Sequence, residues 1–171
     1  MNNKRINDFK DMLNRERPEQ WDRIPNIDLY MDQVIFYMER QHLGLKFDET
    51  LTSSMVNNYA KQGLLPRATG KKYNREHIAH LTAICLLKQV ISVTETKALL
   101  NSQLEDLDIS SFYEKYTNYL DKEMINVDTL IGSNSSIEEL SDLALKLAIS
   151  SYTNKLACEC ILKSIQKEDE D

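Results

Sequence analysis

Only four glycines and three prolines punctuate a chain of 171 residues. Glycine and proline make the sharp reversals on which all-β folds depend, so this count alone argues against a turn-dense β-sandwich, and collagen-like or Gly/Pro-rich low-complexity chains are excluded. The remaining option is a small number of long elements, and the apolar residues recur at helical intervals. Met31, Val34, Ile35 and Met38 stand at i, i+3, i+4 and i+7, one stripe of a helix. Asp28 is placed to cap that helix, which runs to about His42 with Gly44 as its stop. Leu45 and Phe47 follow in the connection, as plugs for the core.

Thr52 supplies N-cap chemistry for a second helix, 52–62, which ends at Gly63 with Pro66 beyond it. A hairpin-like excursion over 67–73 bends at Gly70. Asn74 caps a third helix carrying Ile78, Leu81, Ile84, Cys85 and Lys88, and Ser92 with Glu95 forms a capping box for a short helix through Leu100. Beyond Asn101 the texture changes. Residues 109–124 suggest a helix bearing Phe112, Tyr113, Tyr116, Tyr119 and Leu120. A loop over 132–136 follows, where Ser135 and Glu138 make a second capping box. A long helix over 137–166 ends in a fraying acidic tail. The expected organisation is an N-terminal arm over 1–25, with a short helix and Trp21 pinning it, a module over 26–101, and a helical region over 102–171.

At 42% hydrophobic and 28% charged, the composition is that of a chain able to build a core. The longest uninterrupted apolar run is residues 83–87, far short of the ~20 residues that cross a bilayer. The first residues show no apolar stretch of a signal peptide. A cytoplasmic location without membrane attachment is expected. Three cysteines in such a setting argue against a disulfide framework.

The net charge of −6 conceals a division. Residues 50–92 hold six basic side chains and a single acidic one, whereas residues 93–171 hold seven basic and sixteen acidic. A basic island between acidic flanks points to a polyanion, or to a basic face that meets the acidic part of the same chain. Within the island, a 100° advance per residue gathers Thr52, Met55, Val56 and Tyr59 on one side of helix 52–62 as its core face. Ser54, Asn57, Asn58 and Lys61 gather on the other. Asn can pair bidentately with adenine, Ser is permissive, and Lys reaches guanine or phosphate. Arg67, Lys71, Lys72 and Arg75, with Tyr73 interleaved, suit phosphate gripping, although Tyr73 serves equally well as a core plug. His77, in the first turn after Asn74, is a further phosphate candidate. A helix, a turn, a second helix and a gripping loop are the parts of a duplex reader.

Residues 54–100 also resemble the winged helix-turn-helix of the MerR-type bacterial regulators. That family reads loosely Thr-x-Arg-Tyr-Tyr-x-x-x-Gly-Leu-Leu-Pro through its recognition helix. Here stand Val56-Asn57-Asn58-Tyr59-Ala60-Lys61-Gln62-Gly63-Leu64-Leu65-Pro66. The family wing ends in Arg-x-Tyr-Ser-Glu-Glu, and here Lys71-Lys72-Tyr73-Asn74-Arg75-Glu76. More closely, the chain resembles an uncharacterised family of small bacterial proteins carrying this MerR-like module. The resemblance implies a mainly α fold, a MerR-like winged helix-turn-helix with a small β wing followed by a C-terminal helical region. It also implies a transcriptional regulator of double-stranded DNA, acting as a homodimer through its C-terminal helix, although the apolar side of helix 137–166 serves equally well to pack on residues 109–124 of the same chain. Asn57 replaces the family's recognition-helix Arg, and no effector is implied.

Enzyme signatures are missing: no G-x-G-x-x-G, Walker A or G-x-S-x-G motif occurs. No catalytic residue, cofactor or metal is expected. His77 and His80 have a spacing that permits shared metal binding but lack an evident third ligand. Cys158 and Cys160, at i and i+2, point about 200° apart on a helix. Two rivals to the regulator remain. One is an interaction adaptor that kept the scaffold without DNA binding. The other is a small-molecule receptor with Tyr113, Tyr116, Tyr119 and Tyr152 around its pocket.

Overall fold

A computed structural model of the chain describes residues 4–41, 50–132 and 136–168, with backbone alone at 167–168. His42, Gly44, Leu45, Phe47 and Ser135, each given a role above, lie outside the described residues. The described chain holds seven helices: α1 (Lys4–Arg15), α2 (Met31–Gln41), α3 (Ser53–Lys61), α4 (Arg75–Leu87), α5 (Val93–Asp106), α6 (Ile109–Ile131) and α7 (Ile137–Glu168), plus a 3-10 turn over Trp21–Arg23. It divides into two compact units: Arg17–Asn118, and Met1–Glu16 with Tyr119–Asp171. The first therefore takes in Arg17–Pro25, read above as arm, and the first ten residues of α6.

The mainly α expectation holds, but the small β wing does not: among the described residues no strand forms, and the expected winged helix-turn-helix is corrected to an all-helical fold. Residues 69–72 make a tight turn in which Thr69 and Lys72 exchange both backbone hydrogen bonds, at 3.1 and 3.0 Å. Tyr73 then pairs not with its own hairpin but with Leu29, at 2.8 Å in each direction. Asn74 is already the cap of α4. The pairing thus switches partner after one step and runs out of chain, leaving no ladder.

In the larger unit α4 is the central element. Residues 77–85 are buried without interruption, as expected of a helix enclosed on all sides. α2 packs against both α3 and α4, burying Val34 and Met38 from the stripe read above. Val56 and Tyr59 bury the inner face of α3, while Met55 is half-buried. Thr52, assigned above to that inner face, is instead exposed and caps the helix, its hydroxyl accepting from the Met55 N–H. Sequence reading understated two helices. α5 runs on to Asp106, and α6 to Ile131, with Asp108 capping α6 through Ser111 N–H at 2.7 Å.

A buried polar cluster ties the segment after Arg17 to this core. Tyr113, wholly buried, donates its hydroxyl to the Glu19 carbonyl at 2.7 Å. Gln41 accepts from the Glu19 N–H and reaches Tyr113 and Thr82 through its amide. Each member is satisfied by another, so burial costs little. Trp21 does pin its segment: its ring lies 6.2 Å from that of Tyr113, and the Arg75 guanidinium stands over it at 5.4 Å.

The second unit combines α1, the end of α6 and α7. Among its described residues, Leu13, Met124, Ile131 and Leu162 are the buried apolar ones. Lys10 bonds the Gly132 carbonyl at 2.7 Å, capping the end of α6. α7 opens with a reciprocal box between Ser136 and Glu139, one residue beyond the Ser135–Glu138 pair read from sequence. No described helix is long and apolar enough to cross a membrane.

Candidate nucleic-acid interface

α3 is held from both ends. At its C-terminus Gly63 adopts φ +69° and its N–H bonds the Ala60 carbonyl, while the Leu64 N–H bonds that of Tyr59. This double closure is the Schellman arrangement, and the left-handed residue at its centre favours glycine. Lys97 from α5 donates to the Gln62 carbonyl at 2.8 Å. Lys88 donates to the Tyr59 hydroxyl at 2.8 Å from a position over the ring. The helix is thereby fixed in rotation, and its outer face follows: Ser54, Asn57, Asn58 and Lys61 are all exposed. These four, with Met55, line a shallow depression of about 550 Å³. No acidic residue lies in α3.

The remaining candidates separate. Arg67 and Lys71 are exposed and Lys72 is half-exposed, with its ammonium 5.6 Å above the Tyr30 ring. Tyr73 and His77 are buried, at 5% exposure each, so the core-plug alternative fits Tyr73 and His77 does not stand at the surface. Their rings meet edge to face at 5.3 Å, and burial raises the Tyr73 hydroxyl pKa. His77 closes a capping box with Asn74, and its other ring nitrogen faces the Arg67 carbonyl at 3.4 Å. Both ring nitrogens of His77 thus have partners within the protein. The sequence concealed this box because its third residue is His rather than the usual Glu or Gln. Arg75 is likewise engaged, donating to the Ile24 carbonyl at 3.0 Å beneath Trp21.

Lys71 is unusual. Gly70 and Lys71 have φ +57° and +64°, the two central positions of a type I′ turn. Lysine in the left-handed region is strained by about 1–2 kcal/mol. A lysine thus stands where Gly or Asn is favoured.

A family model described as "Domain of unknown function (DUF1836)" matches residues 19–126, well over half of the chain. The chain belongs to that family. The DUF1836 match takes in the whole of α2 to α5, with α3 and the 69–72 turn inside it. No curated protein and no solved structure matches the chain, and nothing in these comparisons links it to the MerR-type regulators.

Tyr113 and the half-buried Tyr116 pack in the core of the larger unit, their hydroxyl pKa values raised by burial. Tyr119 and Tyr152 are exposed residues of the other unit. Among the described residues no three His, Cys, Asp or Glu side chains converge. Cys85 is buried, which pushes its thiol up to about 12, while Cys158 is half-buried and Cys160 exposed.

Proposed function

We propose that this protein is a DNA-binding regulator that lays α3 on duplex DNA and grips phosphate with Lys61, Arg67, Lys71 and Lys72. The observation that carries this reading is the outer face of α3. Two asparagines, a serine and a lysine stand exposed side by side on a rotationally fixed helix free of acidic residues. The basic balance of residues 50–92 in an acidic chain supports it. The reading needs no strand, places the protein in the cytoplasm, and assigns it no catalytic step.

Salt titration of binding tests it, using duplex from upstream of its own coding sequence beside a scrambled duplex. Four phosphate contacts give a log–log slope of about −3 to −4, so affinity falls roughly 100-fold between 50 and 200 mM salt. Absence of binding to either duplex at low salt sinks the reading. Lys71→Gly sharpens the test. Relief of the left-handed strain, offset by glycine's chain entropy, raises stability by about 0.5–1 kcal/mol, while the salt slope shrinks by about one. A Lys71 without contact to phosphate would change the melting temperature alone.

The reading includes a homodimer, supported by α7. Leu145, Ile149, Tyr152 and Leu156 are 47–63% exposed and spaced 4, 3, 4, the seam that a second helix fills. The occupant proposed is α7 of a second copy, because twofold proteins read twofold sites. Sedimentation of the full chain is expected to give the mass of two copies, and Ile149→Asp that of one with unchanged helical circular dichroism. A wild-type chain sedimenting as a single copy rules the dimer out.

A further inference from the structure

Beside α3 lies an open cleft of about 410 Å³, bounded by the end of α3, the 63–67 connection, α4 and α5. Its lining divides by chemistry. Leu100, buried, and Leu104, half-buried, belong to its apolar part. Lys61 and Arg67, both exposed, contribute from α3 and from the connection, and the exposed Asn101 from α5. His80 contributes from α4, and among the described residues no acidic side chain lines the cleft. Its volume falls within the usual range of about 300–1,000 Å³ for a small-molecule site, and its exposed lining is mixed, polar groups matching or exceeding apolar ones.

The polar groups specify what would fit. Two cations beside one cleft, with no carboxylate among the described lining residues, favour an anion. His80 adds a second requirement. Its Nδ1 lies 2.8 Å from the Glu76 carbonyl oxygen and therefore carries a proton to donate there. Burial lowers the ring's pKa, holding it neutral. Nε2 is then left as an acceptor, suited to a ligand hydroxyl or amine beyond the anionic end.

We infer that this cleft binds a small organic carboxylate, with its acid group between Lys61 and Arg67 and its apolar body against Leu100 and Leu104. The regulatory consequence rests on the DNA-binding reading above. Lys61 and Arg67 are also two of the four proposed phosphate grips, so an acid that takes both releases the duplex. The ligand acts as an inducer, by competition for charge rather than through a distant conformational change.

The experiment uses the full chain and three probes of the class: octanoate, 4-phenylbutyrate and 3-hydroxyoctanoate, each beside its primary amide. Ring resonances of the three histidines are followed by NMR during titration. Saturable shifts of the His80 ring, with each acid binding at least about tenfold tighter than its amide, support the site. Lys61→Ala with Arg67→Ala, both at exposed positions, is expected to erase the preference for acid over amide. No saturable shift at His80 with any acid, or equal binding of acid and amide, overturns the assignment. Duplex binding is then measured with and without saturating acid, and a loss of at least tenfold is expected. Unchanged duplex affinity in a protein shown to hold the acid overturns the inducer role. If the duplex does not bind even without acid, the DNA reading fails while the NMR titration still decides the cleft.

Discussion

Replacing Tyr113 with alanine lowers the stability of the 17–118 unit by about 3–5 kcal/mol, the cost of a large buried aromatic removed from a packed core. The ring is wholly buried, close to those of Trp21 and Tyr116. Its hydroxyl is the partner of the Glu19 carbonyl and within reach of the Gln41 amide. The truncation therefore opens a cavity and also strands polar groups that lie out of water. Tyr113→Phe separates the two contributions. It keeps the ring and removes only the hydroxyl, with an expected loss of about 1–3 kcal/mol from the groups left without a partner. Urea denaturation of the three proteins, followed through Trp21, the single tryptophan, reads both values. If Tyr113→Ala unfolds at the wild-type midpoint, the segment after Arg17 is not anchored as described.

Asn57→Ala is expected to weaken binding to the preferred duplex by about 1–3 kcal/mol and to relax selectivity at a single base position. Asn57 is exposed, within an intact α3 and with no role in its caps, so the folded structure should persist and the loss should be read at the DNA. Its signature differs from that of Lys71→Gly, which weakens binding to every sequence alike. Competition among duplexes altered one position at a time distinguishes the two. If Asn57→Ala discriminates bases as the wild type does, the outer face of α3 is not the reading surface. The adaptor reading, with this face turned to a protein, would then lead.

Local chemistry was legible at several helix ends and faces, though not in the His77 box or in the exact register of the α7 box. The helical stripe of α2, the Thr52 and Asn74 caps, the Gly63 stop and the Ser92–Glu95 box all follow from short spacings. The exposed set on α3 was legible for the same reason, since Val56 and Tyr59 identify the inner side and the outer side follows by geometry. Charge was legible as a total but not as an assignment. Of the basic residues grouped over 67–75, Arg75 turns inward to Trp21 and the Ile24 carbonyl, partners about fifty positions away in sequence. Nothing within ten residues of Arg75 announces that.

By itself, then, the sequence determined a helical chain, the register of its amphipathic helices and a basic segment in an acidic background. These depend on composition and on intervals of three or four residues, which the backbone geometry of a helix converts directly into faces. The tertiary structure alone decided that Tyr73 pairs with Leu29 instead of building a strand. It also decided that His77 is consumed in a cap, and that Lys61, Arg67, His80 and Asn101 line one cleft. The first and the last depend on segments distant along the chain meeting in space, and the cap on a histidine standing where Glu or Gln is usual. Which segments meet is settled by burying the whole apolar surface at once, and no short window of residues contains that condition.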